Sequence, residues 1–499
     1  MKSASHETRP TFAIDRANPN PLHRQIYDGY RAAILRGDLS PGGRVPSSRE
    51  FASVFQVSRF PVLNAYAQLI AEGYLESRVG AGTFVSASLP EQQMSVPPSS
   101  GRSVAEPSGP RPVSRRSSLY PASPQSPMLR GWGSFGVHQP ALDQFPFSIW
   151  ANLVARHSRN PHVRAIHRID PQGAERFRGT LCDYLHGARG VQCTPDQILI
   201  VSGSQQALDI TARVLLDPGD SVWVEEPGYA LQRIVLKAAG GHLIPVPVDG
   251  QGMDVSAGIR RAPKARAAIV TPSHQYPLGS TMSASRRIQL LNWAHSAGSW
   301  VVEDDYDSEF RYESPPVASM HGLDRNARVI YIGTFSKVLF PSLRLGYLVI
   351  PRDLVERFVA VRHAMDIFPP YLHQEVMADF ILEGHFTRHI RKMRQIYKER
   401  RSILIDCLAR EFPAELGYEV HGVEAGMHLA LTLPASLPPS ITDTEISLRA
   451  ARSGLWLWPL SPSYTTAALR QGFILGFGSS LPSRIPGAVR LMRSLIASW

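Results

Sequence analysis

Between Ala87 and Met128 the chain offers almost nothing to bury. The run LPEQQMSVPPSSGRSVAEPSGPRPVSRRSSLYPASPQSP is rich in Pro, Ser, Gln and Gly and carries almost no hydrophobic periodicity. Such a stretch cannot offset the entropy of ordering itself, so 88–128 reads as a semi-extended flexible linker. Arg102, Arg111, Arg115, Arg116 and Arg130 outnumber Glu91 and Glu106 around it; a solvated tether is the plain reading, with passing contact to a polyanion as the alternative. The segments on its two sides must therefore fold separately, as 12–87 and 129–499. At 499 residues the chain is long enough to build both.

In the first unit, Leu22, Ile26, Tyr30, Ala33 and Ile34 recur at helical spacing and Gly37 stops the helix. Ser47 or Ser48 can cap a short second helix carrying Phe51, Ala52 and Phe55, and Gln56-Val57-Ser58 turns into a third. That helix opens with Arg59 and Pro61, proline being tolerated in a first turn whose N–H groups have no helical partner. Val62, Ala65, Tyr66, Leu69 and Ile70 form its buried face, and Gly73 ends it. Tyr74–Ser77 and Thr83–Val85, bent about Val79-Gly80-Ala81-Gly82, predict a two-stranded hairpin. Three helices and a wing make a winged helix-turn-helix, whose third helix would enter the major groove of double-stranded DNA.

Beyond Gly131, apolar strands alternate with helical segments, the pattern of an α/β domain with a large, mostly parallel sheet. Polar motifs fall at the strand ends. Ile198–Val201 runs into SGSQQALDI, where Gly203, Ser204 and Gln205 present backbone N–H groups at a helix N-terminus, a phosphate cradle. Ser221–Glu225 leads to Glu226-Pro227-Gly228-Tyr229, where Tyr229 either lies flat on an aromatic ring or fills the core. Ala267–Val270 leads to Thr271-Pro272-Ser273-His274-Gln275-Tyr276-Pro277, and Trp300–Val302 to Glu303-Asp304-Asp305-Tyr306-Asp307. Four carboxylates in five residues cannot all be buried and charged; an inward Asp needs a cation, and a protonated pyridine nitrogen is one. Val329–Ile332 then enters GTFSKVLFPSLRLGY, from Gly333 to Tyr347. A lysine flanked by Thr334 and Ser336 and followed by Arg344 suits a phosphate-bearing carbonyl cofactor, which needs an amine and an anion clamp together. Pyridoxal 5'-phosphate is such a group: Lys337 would hold the aldehyde as a Schiff base, and the arginine and hydroxyls would hold the phosphate.

The run GDLSPGGRVPSSREFASVFQVSR followed by YAQLIAEGYLESRVGAGTFV closely resembles the GntR-type DNA-binding domain. That resemblance implies that Arg49 and Arg59 face bases or phosphates, that Ser47 and Ser58 bind phosphate, that Gly80 lets the wing approach the minor groove, and that Arg44 contacts the backbone. Phe60 and Pro61 stand where the family usually carries small polar residues. The motifs SGSQQALD, VEEPGY, TPSHQYPLG, VEDDYDSEFRY and YIGTFSKVLFPSLRLGY resemble the fold-type I aminotransferases, and their wording is similar to the MocR family, which fuses the two modules. The resemblance implies Lys337 as the Schiff-base lysine, Asp304 on the pyridine nitrogen, Tyr306 on the ring hydroxyl and Tyr229 stacked on the ring. Ser204, Gln205, Thr334, Ser336 and Arg344 would take the phosphate, with Gly203 in the same turn. Tyr276 replaces the asparagine usual before the proline of the third motif. Near the C-terminus, where catalytic members carry an arginine for the substrate carboxylate, Gly472–Phe477 is apolar and Arg470 lies just outside. Without that clamp an amino acid is poorly oriented, so little or no physiological turnover is expected.

Three functions stand as alternatives. One is a pyridoxal phosphate-dependent transcriptional regulator sensing a small amine or a vitamin B6 compound, built by the family's implication as a homodimer with swapped modules. A second is an active aminotransferase carrying a DNA-binding appendage. The third is a cofactor-free dimerisation scaffold. A formal charge of +11 permits a polyanionic partner without naming one. Cys182, Cys193 and Cys407 show no CxxC spacing and are odd in number, which argues against a disulfide framework or a zinc site, so no metal is expected. The first residues lack an apolar signal region and no run approaches a membrane span, so a cytoplasmic protein without membrane contact is expected. His157, His162 and His167, five apart, do not share a helix face and read as surface or capping residues. Trp456 and Trp458 read as core, or as lining of an effector pocket.

Overall fold

The computed structural model describes residues 12–16, 18–89, 111–120, 133–159, 170–313, 317–436 and 442–497. It divides into two compact units, Met1–Pro112 and Val113–Trp499.

In the first unit α1 (Leu22–Leu35) packs on α3 (Arg59–Ala71), α2 (Ser48–Val54) also packs on α3, and a wing of β1 (Leu75–Arg78) and β2 (Gly82–Val85) follows. The antiparallel register runs from Leu75 opposite Val85 to Arg78 opposite Gly82. The core is the face that the periodicity picks out: Ile26, Tyr30, Ala33 and Ile34 bury against Phe51, Val62, Ala65, Tyr66 and Leu69. Ile70, expected on that face, lies at its edge and is 37% exposed. A polar seam crosses this core. The Tyr66 hydroxyl donates to the Pro46 carbonyl at 2.9 Å and accepts from Tyr30 at 2.8 Å, tying both long helices to the turn before α2.

The second unit is built on an eight-stranded sheet in the order β3-β10-β9-β8-β7-β4-β5-β6. Its centre is parallel: β9 (Val329–Thr334), β8 (Trp300–Asp305), β7 (Ala267–Val270), β4 (Ser221–Glu226) and β5 (His242–Asp249). The strand β10 (Gly346–Val349) runs antiparallel to β9 and to β3 (Ile198–Val201), and β6 (Gly252–Met253) closes the far edge. Both faces are covered, which is why the inner strands are unbroken apolar runs such as ILIV and AAIV. Alternate residues serve opposite sides: Ile198 and Ile200 join one core cluster, Leu199 and Val201 another. A smaller antiparallel sheet comes after it, of β11 (Glu419–His421), β12 (His428–Thr432), β14 (Gly472–Gly476) and β13 (Trp458–Pro459). The 27-residue helix His385–Glu411 precedes it and packs on the final helix, Ile485–Ala497.

Three expectations need amendment. Part of the supposed free linker is docked: Arg115–Leu119 forms a 3-10 turn capped by Ser114 and contacts the helix Ala230–Ala238. There Arg116 and Tyr120 flank a cleft with Arg213, Ala238 and Met365. Arg111 is also described, whereas 90–110 and 121–132, with Arg102 and Arg130, lie outside the described residues. His157 is half-buried in the last turn of its helix, and its Nε2 lies 2.8 Å from Asp379 Oδ2, a partner that the spacing alone does not show. His162 and His167 lie outside the described residues. The cysteines are free thiols, yet Cys182 and Cys193, eleven positions apart, lie side by side with their sulfurs at 3.8 Å.

Tyr66→Phe removes the donor to Pro46 and leaves the Tyr30 hydroxyl without its acceptor. It should lower the stability of the N-terminal unit by about 1–3 kcal/mol, read as an earlier unfolding transition of that unit. In the Tyr30→Phe/Tyr66→Phe double variant the two losses should be less than additive.

Candidate functional site

The carboxyl ends of β3, β4, β7, β8 and β9 point into one cleft, the usual place for a ligand in an open α/β sheet. Lys337, three residues past β9, lines it together with His138, Ser204, Tyr229, Thr271, Tyr276, Asp304 and Tyr306. Burial is the first influence on the lysine: it lowers the ammonium to about 8, against the pull of Asp307 and Asp304 and with help from Arg344. An appreciable share of the amine is therefore neutral near neutral pH, the form in which it can attack a carbonyl carbon.

All four carboxylates at the end of β8 are buried, and three are answered from within the protein. Glu303 accepts the N–H groups of Met320 and His321, both at 2.9 Å, at the start of a short helix. Asp305 Oδ2 accepts from Arg189 Nη2 at 2.7 Å and from Ser308 and Tyr331. Asp307 meets His274 Nδ1 at 3.0 Å. Asp304 Oδ1 is buried without a partner, and burial, then the neighbouring Asp305, raise its carboxyl to about 7. A cation placed against it would restore the carboxylate, which is what a protonated pyridine nitrogen does.

Opposite, Gly203 caps the helix Ser204–Leu215 with φ +98°, and a Cβ there would stand 3.3 Å from Arg344 Nη1. Glycine thus lets the guanidinium lie against the open N–H groups of the first helical turn, and both favour an anion. Ser336 Oγ is buried without a partner, while Thr334 Oγ1 accepts the Ser336 N–H at 3.2 Å. Gln205 stands in the same first turn, where its Nε2 donates to the Leu231 carbonyl at 3.2 Å and its Oε1 is buried without a partner. A cleft with an amine, an unmatched carboxylate and an anion cradle of Ser204, Ser336 and Arg344 fits pyridoxal phosphate on all three counts.

The walls are aromatic. Tyr229 and Tyr276 stand edge to face at 5.6 Å, and burial raises both phenols, Tyr229 to about 12. Tyr306 OH lies 3.1 Å from His274 Nδ1, and Trp458 packs against the same cluster from β13. Trp456 instead packs beside Gly133. His138 has no signal in the sequence. Its ring lies 5.1 Å from that of Tyr276, and burial, then Lys337, hold its pKa well below the usual value, so it is neutral. It sits 199 positions before the lysine in a stretch without strand or helix signal, so only the fold reveals it. Glu225, also unforeseen, accepts the Thr271 hydroxyl at 2.6 Å and braces the turn after β7. Among the described residues, the walls around Lys337 and Asp304 carry no arginine besides Arg344 of the anion cradle. Ile474 on β14 is fully buried, and Arg470 pairs with Glu419 at 3.6 Å, half exposed.

In the N-terminal unit Ser47 Oγ accepts the Glu50 N–H at 3.2 Å as the cap of α2, leaving its own proton free to donate. Arg59, at the start of α3, donates from Nε to Ser48 Oγ at 3.1 Å, and Arg49 is exposed on α2. The Ser58 side chain makes no capping bond, though Ser58 is the N-cap of α3. Arg44 bridges to Phe84 of the wing, and Gly80 turns the wing with φ +74° beside a fully exposed Val79. Phe60 is 71% exposed in the first turn of α3.

Residues 22–85 match the family of bacterial regulatory proteins of the gntR type, and residues 160–473 match aminotransferase class I and II. The chain is 39% identical over 484 residues to the probable rhizopine catabolism regulatory protein MocR of Rhizobium meliloti, covering 97% of this chain and 95% of that one. It is 29% identical to the pyridoxine biosynthesis transcriptional regulator PdxR of Corynebacterium glutamicum, covering 94% of each. Kynurenine aminotransferase of Pyrococcus horikoshii, solved with PMP, superposes with a TM-score of 0.71 at 28% identity, over 77% of this chain and 97% of that one. Among the described residues no helix is long and apolar enough to cross a membrane. The chain belongs to the MocR-type transcriptional regulators, in which a gntR-type DNA-binding domain precedes an aminotransferase-like domain that binds pyridoxal phosphate.

Proposed function

We propose that this regulator senses a small primary amine or a vitamin B6 compound at Lys337 and converts its binding into altered DNA binding. The observation that carries the reading is the coincidence, in one cleft, of a lysine lowered to about 8 and a buried Asp304 without a partner. When bound, pyridoxal phosphate supplies an aldehyde carbon that a primary amine can capture. Lys337 would be the amine that holds it, Asp304 would pair with its ring nitrogen, and Tyr229 would supply an aromatic wall for the ring. Tyr306 and Tyr276 would face its hydroxyl. Ser204, Thr334, Ser336 and Arg344 with the N–H groups after Gly203 would hold the phosphate. Gln205 has a lesser part, since its amide is already bonded to Leu231.

The effector is read without a carboxylate clamp. With Arg344 given to the phosphate, the apolar Ile474 and walls that carry no further arginine among the described residues favour an amine with no α-carboxylate, and they disfavour turnover of ordinary amino acids. Differential affinity for two arrangements of a homodimer with exchanged DNA-binding modules is what lets such a ligand act. On DNA, Arg49 and Arg59 reach bases or phosphates, Ser47 and Ser58 donate to phosphate, Arg44 meets the backbone and Gly80 admits the wing. The exposed Phe60 supplies an apolar contact suited to a thymine methyl.

Lys337→Ala should abolish the long-wavelength absorption of the bound cofactor, and no such band in either protein with excess pyridoxal phosphate would overturn the reading. Capture of added cofactor by cofactor-free protein should quicken as pH rises from 6.5 and level off above about 8, because the neutral amine fraction rises through that range. For Asp304 the folded value lies above the ordinary one, so folding takes up a proton and stability falls as pH rises from about 4 through 7. Asp304→Asn should therefore raise the melting temperature of the cofactor-free protein at pH 8 by a few degrees while weakening cofactor retention. Arg59→Ala should weaken operator binding and, if the contact is to phosphate, reduce the salt slope by about one.

A further inference from the structure

We propose a zinc site formed by Cys182, His186 and Cys193, on the side of the large unit where the helix Glu175–Arg189 turns towards β3. The two sulfurs and a ring nitrogen of His186 all lie within 4.8 Å of one another. The sulfurs are 3.8 Å apart, and Cys182 Sγ is 3.7 Å from His186 Nε2. A tetrahedral zinc ion with Zn–S near 2.3 Å and Zn–N near 2.05 Å sets its ligands at roughly 3.8 Å for S···S and 3.6 Å for S···N. Two edges of the donor triangle thus match a tetrahedral zinc, the third lies within 4.8 Å, and the imidazole must turn to complete it.

The placement has a simple local cause. Cys182 and His186 are four apart on one helix and so share a face. Gly190 ends that helix with φ +64°, and the chain doubles back so that Cys193 returns beside Cys182. Both thiols are buried and His186 is exposed, giving the site a way in from solvent and a fourth position for water. His186 Nε2 now lies 2.8 Å from the Cys193 carbonyl and 3.2 Å from its N–H, contacts that ring rotation would release. On binding, each thiol gives its proton to solvent and the sulfur its lone pair to the metal, so two protons leave per zinc and nothing is oxidised or reduced. The chemistry selects a soft or borderline cation, and two thiolates with one imidazole favour zinc over magnesium or calcium. The ion would staple the end of this helix, whose Arg189 holds Asp305, to the segment that enters β3 and the Gly203 cradle. Among the described residues the other grouping of ligand atoms is His274, Asp307 and His428, which adjoins the cofactor cleft through Tyr306 and the influence of Lys337 on His428.

The full-length protein, reduced and stripped with a chelator, is titrated with zinc against a chromophoric competitor. One equivalent per chain is expected, with release of two protons and a higher melting temperature. Cys182→Ser/Cys193→Ser should bind none, and His186→Ala should bind more than about 100-fold more weakly, beyond the loss typical of an outer-shell partner. Zinc retained in full by the double serine variant, or no uptake by the parent protein, overturns the site. Should the double variant fail to fold, cobalt added to the parent decides: thiolate-to-cobalt charge transfer with tetrahedral visible bands supports the site, and a spectrum without them overturns it. Absorption of the bound cofactor, followed alongside, stays separate, since loss of zinc binding with that band intact leaves the reading of Lys337 standing.

Discussion

Buried negative charge at the end of β8 is the constraint on which the large unit turns. Four carboxylates in five residues are placed where water cannot solvate them, and each needs an answer. Helix amides answer Glu303, a guanidinium reaching across from another helix answers Asp305, and an imidazole answers Asp307. These partners come from segments as far as 116 positions away, so the charges knit the fold while they order the strand end. Asp304 alone is left for a ligand. A fold that spends so much polar structure on neighbouring carboxylates and leaves one unmatched holds a site that is completed only from outside.

The aminotransferase scaffold supplies this arrangement. An enzyme positions its substrate through groups on both sides of the reacting bond. Here the cofactor side is intact, with Lys337, Asp304 and the phosphate cradle. Behind its aromatic walls, Ile474, Tyr464 and Trp458 pack with Tyr276 and Tyr306 in one apolar cluster. Such a cluster offers a ligand area and shape rather than charge.

Much of this is legible in the sequence, because each feature rests on local chemistry. Helix caps, the wing glycine and apolar strands ending in polar turns are short-range signals, and they place β3, β4, β7, β8 and β9 with their strand-end residues. Lys337, Asp304, Tyr229 and Tyr306 can be named because motif wording travels with those turns. His138 cannot, since its role comes from a chain reversal that brings it from a stretch without periodicity. Nor can the pairing of Cys182 with Cys193, which depends on how tightly Gly190 turns.

The docked Arg115–Leu119 turn lies on the helix Ala230–Ala238, and the residue that caps that helix is Tyr229, a wall of the cleft around Lys337. One helix thus carries an aromatic wall of the cleft at its start and a surface turn on its flank, so a ligand that shifts Tyr229 also bears on the seat of the turn.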